Sequence, residues 1–480
     1  MPRLDYLKFA PEVCLLDVEH LHGPKEVLYG KRELIALCLV RNGMPWIESF
    51  IEHYFALGVK HIVFLDNDST DDTVSAASRH DNVTVLRTKL RVNAYEGAAE
   101  VVMRQYLISR FAKNRWSLCV DIDELFDYPY SDVIGLDSLL GYLDSKSFTA
   151  VMAHALDMFP EKPLLERAEE QDEPLKEVHR FYDLSNLIRW NKVDRPGLLT
   201  RDNNTLESDE VEWFAGGIRD TIFGYRPFLT NYPLAFYDGK TWPERPHYVF
   251  NARIADVTCV LFHYKFVKHF RERTESALRD WHNTVVFAEY SKNLAVLDKN
   301  PNLQLKQATA QEITSVNDLL EDGFLAASED YVSWVDAEER TNLVRSAPSE
   351  PDGLVDALLE SRRQQRAKTL RLGRLERQLF RSKGQVAPKP RMLQKLERQL
   401  RDRDQNIRRL QRQLRDQDQE LQNARENEQK LMRRRRQLRS RIVTLEHQLQ
   451  GMQASLAWKL IGMLRSIKVR IAESLRKKSH

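Results

Sequence analysis

Three carboxylates, Asp121, Asp123 and Glu124, stand at the end of the apolar run 116–120. A strand that ends this way can hold a hard cation. In an extended segment residues two apart face the same side, so Asp121 and Asp123 are expected to project together. Two like charges so placed repel unless a cation lies between them. Their oxygens suit Mg²⁺ or Mn²⁺, which take few carboxylates and share their remaining sites with phosphate oxygens. A solvated strand end is the plainer reading of an isolated D-x-D, and only the surrounding pattern separates the two.

That pattern alternates strands and helices. Residues 34–40 form a continuous apolar run, as in a parallel strand buried on both faces. A helix follows, with Pro45 in its first turn, Trp46, Phe50, Tyr54 and Leu57 along one side, and Gly58 as its stop. A second strand at 61–65 ends in Asp66, Asn67 and Asp68, and Ser69 and Asp72 give a capping-box-like start to another helix. A strand at 83–86 and a helix over about 94–112 lead to the strand that carries the aspartates. This order predicts an open α/β sheet, Rossmann-like and mostly parallel. Ligands of such sheets bind beyond the carboxyl ends of the strands. Arg41 with Asn42, Asp66 with its neighbours, and the D-x-D pair all fall at such ends, so they should converge on one edge.

Residues 34–127 resemble the nucleotide-binding half of family 2-like glycosyltransferases with the GT-A fold. The matching pieces are Arg41-Asn42 after the first strand, the segment 64–73 (FLDNDSTDDT) and the segment 119–126 (CVDIDELF). The resemblance implies metal-dependent, inverting transfer of a sugar from a nucleotide-diphosphate donor, a UDP-sugar foremost, to a glycan or glycolipid acceptor. It places Asp66 on the nucleotide base, Asp121 and Asp123 on metal and diphosphate, and Arg41 and Asn42 in the same donor site. One departure is that the commoner Asp-Asp-Gly ending of the second strand is Asp66-Asn67-Asp68 here. A cation between the aspartates would offset the charge that develops on the leaving diphosphate. Two other classes use the same residues: a nucleotidyltransferase, and an interaction protein whose decayed transferase domain caps an oligomerising rod.

Inverting transfer needs a base for the acceptor hydroxyl. The segment 214–224 joins Gly216 and Gly217 to Arg219 and Asp220 and resembles a Gly-Gly-x-Arg loop that closes over a ligand. Arg219 suits a phosphate or sugar acid. Asp220 is the base candidate, with Glu212, Asp238 and Glu124 competing and a plain ion pair to Arg219 as the bland reading. The apolar run 257–262 ends in His263, which resembles the late histidine that some GT-A enzymes use as a third metal ligand. His247 is the second option, and a packed, hydrogen-bonded histidine is the ordinary alternative for both.

Length and charge set the rest. The chain has 480 residues, a formal net charge of +3 and four widely spaced cysteines, Cys14, Cys38, Cys119 and Cys259, with no C-x-x-C. These read as reduced, packed thiols. The start lacks a basic-then-apolar leader and no run of about 18 apolar residues exists, which predicts a cytoplasmic protein. The layout is an extension over 1–30, a GT-A domain over 31–300, a helical or linker region over 301–392, a coiled coil over 393–456 and a basic tail over 457–480.

In the coil, Leu396, Leu400, Ile407, Leu410, Leu414, Leu421, Ala424, Leu431, Leu438, Ile442, Leu445, Leu449, Met452 and Leu456 keep a heptad spacing, broken by Arg403, Gln417, Glu428 and Arg435. A helix of that length would run on the order of 95 Å and make the chain a homo-oligomer. Four consecutive arginines from Arg433 read as a solvated coil face, not a nucleic-acid contact. The tail carries seven Lys or Arg and one Glu, with Leu460, Leu464, Ile467, Ile471 and Leu475 at helical spacing. It suits either the inner face of an anionic plasma membrane or a continued helical bundle. Its start, 455–460, resembles a segment that follows coiled coils in bacterial surface-polysaccharide glycosyltransferases, which implies that pathway.

Overall fold

A computed structural model describes residues 17–90, 98–164, 174–200, 202–245, 247–280, 284–346 and 352–384, with 441, 451, 456, 457 and 459–471. The expected coiled coil, but for three of these positions, and Cys14 lie outside the described residues. Ten strands make one sheet: β1 (Glu19–His22), β2 (Ile35–Val40), β3 (His61–Asp66), β4 (Val83–Arg87), β5 (Trp116–Asp121), β6 (Glu124–Asp127), β7 (Ala150–Asp157), β8 (Thr205–Leu206), β9 (Thr230–Phe236) and β10 (Arg253–His263). Their order is β1-β4-β3-β2-β5-β9-β7-β10-β8, and β6 pairs with β10.

β2 to β5 run parallel, β9 is antiparallel to both β5 and β7, and β10 is parallel to β7. β5, β7 and β10 therefore point the same way. The carboxyl ends of β2, β3, β5, β7 and β10 all open on one edge.

The apolar run of β2 is continuous because both of its faces are covered. Ala36, Cys38 and Val40 pack with Phe50 and Tyr54 of α1 (Ile47–Leu57), while Ile35 and Leu37 pack with Met103 and Leu107 on the other side. α1 stops at Gly58, whose φ of 100° is the left-handed turn expected there. α2 (Thr73–Ala77) starts at Asp72 without a side-chain cap. Ser69 does not cap it. Its hydroxyl accepts from the Asn42 N–H at 2.9 Å and ties the β2 end to the β3 end. The helix α3 (Ala98–Phe111) carries Met103 and Leu107.

Cys38, Cys119 and Cys259 are free thiols, two of them buried. The described residues up to Lys383 fall in one compact unit. No helix among the described residues is long and apolar enough to cross a membrane.

Candidate active site

Asp121 closes β5, but the chain turns at Ile122 and Asp123 before β6 begins. The extended spacing expected there is lost, and the two carboxylates take different partners. Asp121 is held by the buried Arg104 of α3, which also binds Glu100 at 2.9 Å. With 41% of its side chain open to solvent, Asp121 is the accessible member of the pair. Asp123 turns to His263, whose Nε2 lies 3.3 Å from its carboxylate.

His263 belongs to a longer chain of charges. Its Nδ1 lies 2.6 Å from Asp157, the last residue of β7, and Asp157 in turn accepts from Arg219 Nε at 2.7 Å. Register places His263 directly opposite Asp157 on the parallel partner strand, which explains the contact. Burial alone would push His263 down, but Asp123 and Asp157 together raise it to about 9. Against the same burial, Arg219 and His263 hold Asp157 at about 2. Asp123 falls below the usual carboxylate range despite its burial, drawn down by His263, Lys265 and Arg273. Burial, with Asp121 and Asp123 adding to it against His263, pushes Glu124 up to about 8.

Arg219 reaches this cluster because of a sharp corner. The strand 213–216 pairs with 187–190, and Gly216 and Gly217 then adopt φ of 100° and 74° before α4 (Ile218–Phe223) begins. A Cβ on Gly216 would lie 2.6 Å from the Asn186 carbonyl oxygen. The double glycine is thus a fixed strand-to-helix corner that aims Arg219 inward, and not the loose closing loop the sequence suggested. Asp220 does not pair with Arg219. It pairs with Arg226, keeping 11% of its side chain exposed. Of its competitors, Glu212 is bound by Arg381 at 2.8 Å and Asp238 accepts from the Lys240 and Thr241 N–H groups.

At the other end of the row, Asp66 is fully buried, with Arg87 Nε 2.9 Å from it and the Ser69 N–H at 3.2 Å. Asn42, at φ 53°, accepts from Thr70 N–H at 2.8 Å, and Arg41 donates to the Asn67 carbonyl at 3.0 Å. These three shape the floor of the edge. His247 donates Nδ1–H to the Thr230 carbonyl at 3.0 Å, at the start of β9.

Sequence reasoning missed Asp157, Arg104, Lys265 and Arg273. Asp157 had a readable signal, an aspartate closing the apolar run 150–156 just as Asp66 and Asp121 close theirs. Arg273, on α5 (Phe270–Asp280), lies over Trp46 at 4.1 Å with one buried nitrogen lacking a hydrogen-bond partner. No local pattern could have shown it.

Neither a known family model nor a curated protein matches the sequence. Among solved structures, a mannosyltransferase from Pyrobaculum calidifontis in complex with GDP-Man and Mn²⁺ is similar over 31% of this chain and 41% of its own, at 19% identity and TM-score 0.20. Glucosyl-3-phosphoglycerate synthase from Mycobacterium tuberculosis, in complex with Mn²⁺, UDP and glucosyl-3-phosphoglycerate, is similar over 28% and 52%, at 18% identity and TM-score 0.19. A nucleotidyl transferase from Methanothermobacter follows over 27% and 63%, at 10% identity and TM-score 0.16. The chain spans less than two thirds of the length of each. Likenesses this slight establish neither fold nor activity, so the site's own geometry has to speak for its chemistry.

The donor set fits a divalent cation in kind. Asp157 accepts the Nδ1 proton of His263 and so leaves Nε2 directed at Asp123, the arrangement in which a carboxylate orients a metal-binding imidazole. As the side chains stand, no three His, Cys, Asp or Glu groups among the described residues close on one point. Asp121 would have to swing from Arg104 to join Asp123 and His263.

Proposed function

We propose that this chain is a glycosyltransferase, moving a sugar from a nucleotide-diphosphate donor to a glycan or glycolipid acceptor. The observation that carries this reading is the single edge on which Asp66, Asp121, Asp157 and His263 end four strands of one direction. Asp121, Asp123 and His263 are the residues that would hold Mg²⁺ or Mn²⁺. Bound there, such an ion supplies positive charge to the departing diphosphate.

The protein's own groups do the remaining work. Asp157 fixes the direction of His263, and Arg219 holds Asp157 ionised. Lys265 and Arg273, which already act electrostatically on Asp123, add positive charge beside the phosphates. Asp66 locks Arg87 and the turn at Ser69, keeping the floor under the nucleoside rigid, with Arg41 and Asn42 completing it. Asp220 is the proposed base, since its side chain, though paired with Arg226, keeps more solvent contact than the buried Glu124 and Glu212. The resemblance at 34–127 supports a family 2-like, inverting hexosyltransferase with a UDP-sugar donor, the segment 455–460 supports work on cell-surface polysaccharide at the cytoplasmic side, and the heptad spacing over 393–456 supports a homo-oligomer.

Calorimetry on a panel of nucleotide sugars tests the reading. The expected result is donor binding that requires Mn²⁺ and is lost in Asp123→Ala. Absence of binding by every nucleotide sugar would instead support a scaffold built on an inactive domain.

A further inference from the structure

We propose that the helix 459–471 docks on an anionic phospholipid surface through a stripe formed by Leu460, Met463, Leu464, Ile467 and Ile471. At 100° per residue these five side chains fall within an arc of about 100°. Each is between 51 and 67% exposed. Lys459 and Arg470 lie on one flank of the stripe and Lys468 on the other. An apolar stripe flanked by cations is the pattern of a helix lying in a membrane interface, its apolar side chains among the acyl chains and its cations at the phosphates.

The heptad phase excludes the simplest rival. Carried forward from Leu449, Met452 and Leu456, the coiled-coil seam falls on Lys459, Met463, Ser466 and Arg470. Three of these four are polar, and their mean direction is about 85° away from the stripe. A second copy packing along the continued seam would meet lysine, serine and arginine and leave the leucines and isoleucines in water. The stripe therefore asks for a different partner, and the surrounding cations select a negatively charged one. Further along the sequence Arg476, Lys477 and Lys478 add to the same charge. This inference stands independently of the transferase reading, since it uses no residue of the sheet edge.

The test is sedimentation of the full-length chain with phosphatidylcholine vesicles, with and without phosphatidylglycerol. The expected result is binding to the anionic vesicles at least about tenfold stronger than to neutral ones, weakened by salt as surface charge is screened. Paired substitution Leu464→Asp and Ile467→Asp should abolish binding. Lys459→Glu with Lys468→Glu should remove the preference for phosphatidylglycerol. Both variants should keep the wild-type calorimetric response to nucleotide sugars. Equal binding to both vesicle types, or none to either, overturns the proposal. So does a fall in oligomeric state of the aspartate variant, by sedimentation velocity, with vesicle binding unchanged, because the stripe would then join copies of the chain.

Discussion

Asp157 is the residue on which the site turns. It lies between Arg219 at 2.7 Å and His263 at 2.6 Å, and the direction of the imidazole follows from it. Asp157→Asn keeps the shape but removes the charge that holds the Nδ1 proton. Loss of such an outer partner typically costs about 10- to 100-fold in metal affinity. The expected outcome is a rise of that size in the Mn²⁺ dissociation constant at neutral pH, read by calorimetry without any substrate at a temperature where the variant is folded, together with a lower melting temperature because Arg219 is left buried without its partner. An unchanged Mn²⁺ affinity would mean that His263 takes no part in holding the cation. At this scale the sequence was readable where an aspartate closes an apolar run. It was not readable where Asp121 and Asp123 diverge, because alternation applies only to extended chain and the residues between them turn.

Elements were more legible than side chains, and for a physical reason. β2, β3 and β5 are covered on both faces, so their apolar runs stand out, and Gly58 marks the end of α1 by a backbone shape that other residues resist. The antiparallel insertion of β9 between β5 and β7 had no local signal, since it depends on pairing with residues 76 to 120 positions away. The corner at Gly216 carries its own expectation. An added Cβ would meet backbone, the Asn186 oxygen, at a φ that strains any L side chain. Gly216→Ala should lower stability by roughly 1–3 kcal/mol, seen in thermal denaturation. It should also weaken donor binding, because Arg219 would no longer be aimed at Asp157. A variant as stable and as competent as wild type would show that the corner is not what positions the arginine.

For the molecule as a whole, the last helix of the compact unit, α6 (Asp352–Gly384), ties distant segments of that unit together. Its Arg366 reaches the buried Glu339 and Asp336, Arg377 donates to the Leu325 carbonyl at 2.9 Å, and Arg381 binds the buried Glu212. A chain ending at residue 346 leaves Glu339 and Glu212 without those arginines. Breaking a buried pair from one side costs about 3–5 kcal/mol, so this truncation should lower the melting temperature sharply or prevent folding. A chain ending at residue 384 keeps all of these contacts and should fold and bind donor as the full chain does. Equal melting temperatures for the two truncations would contradict this role for α6. These arginine contacts carry no local signal in the sequence, because they join positions 27 to 169 residues apart.

Release of nucleoside diphosphate from a panel of nucleotide sugars, with and without Mn²⁺, in wild type and in Asp123→Ala, tests the central claim most directly. The expected result is slow Mn²⁺-dependent release even without an acceptor, abolished by the substitution. Pyrophosphate in place of nucleoside diphosphate would indicate nucleotidyl transfer, and release unaffected by Asp123→Ala would contradict the site.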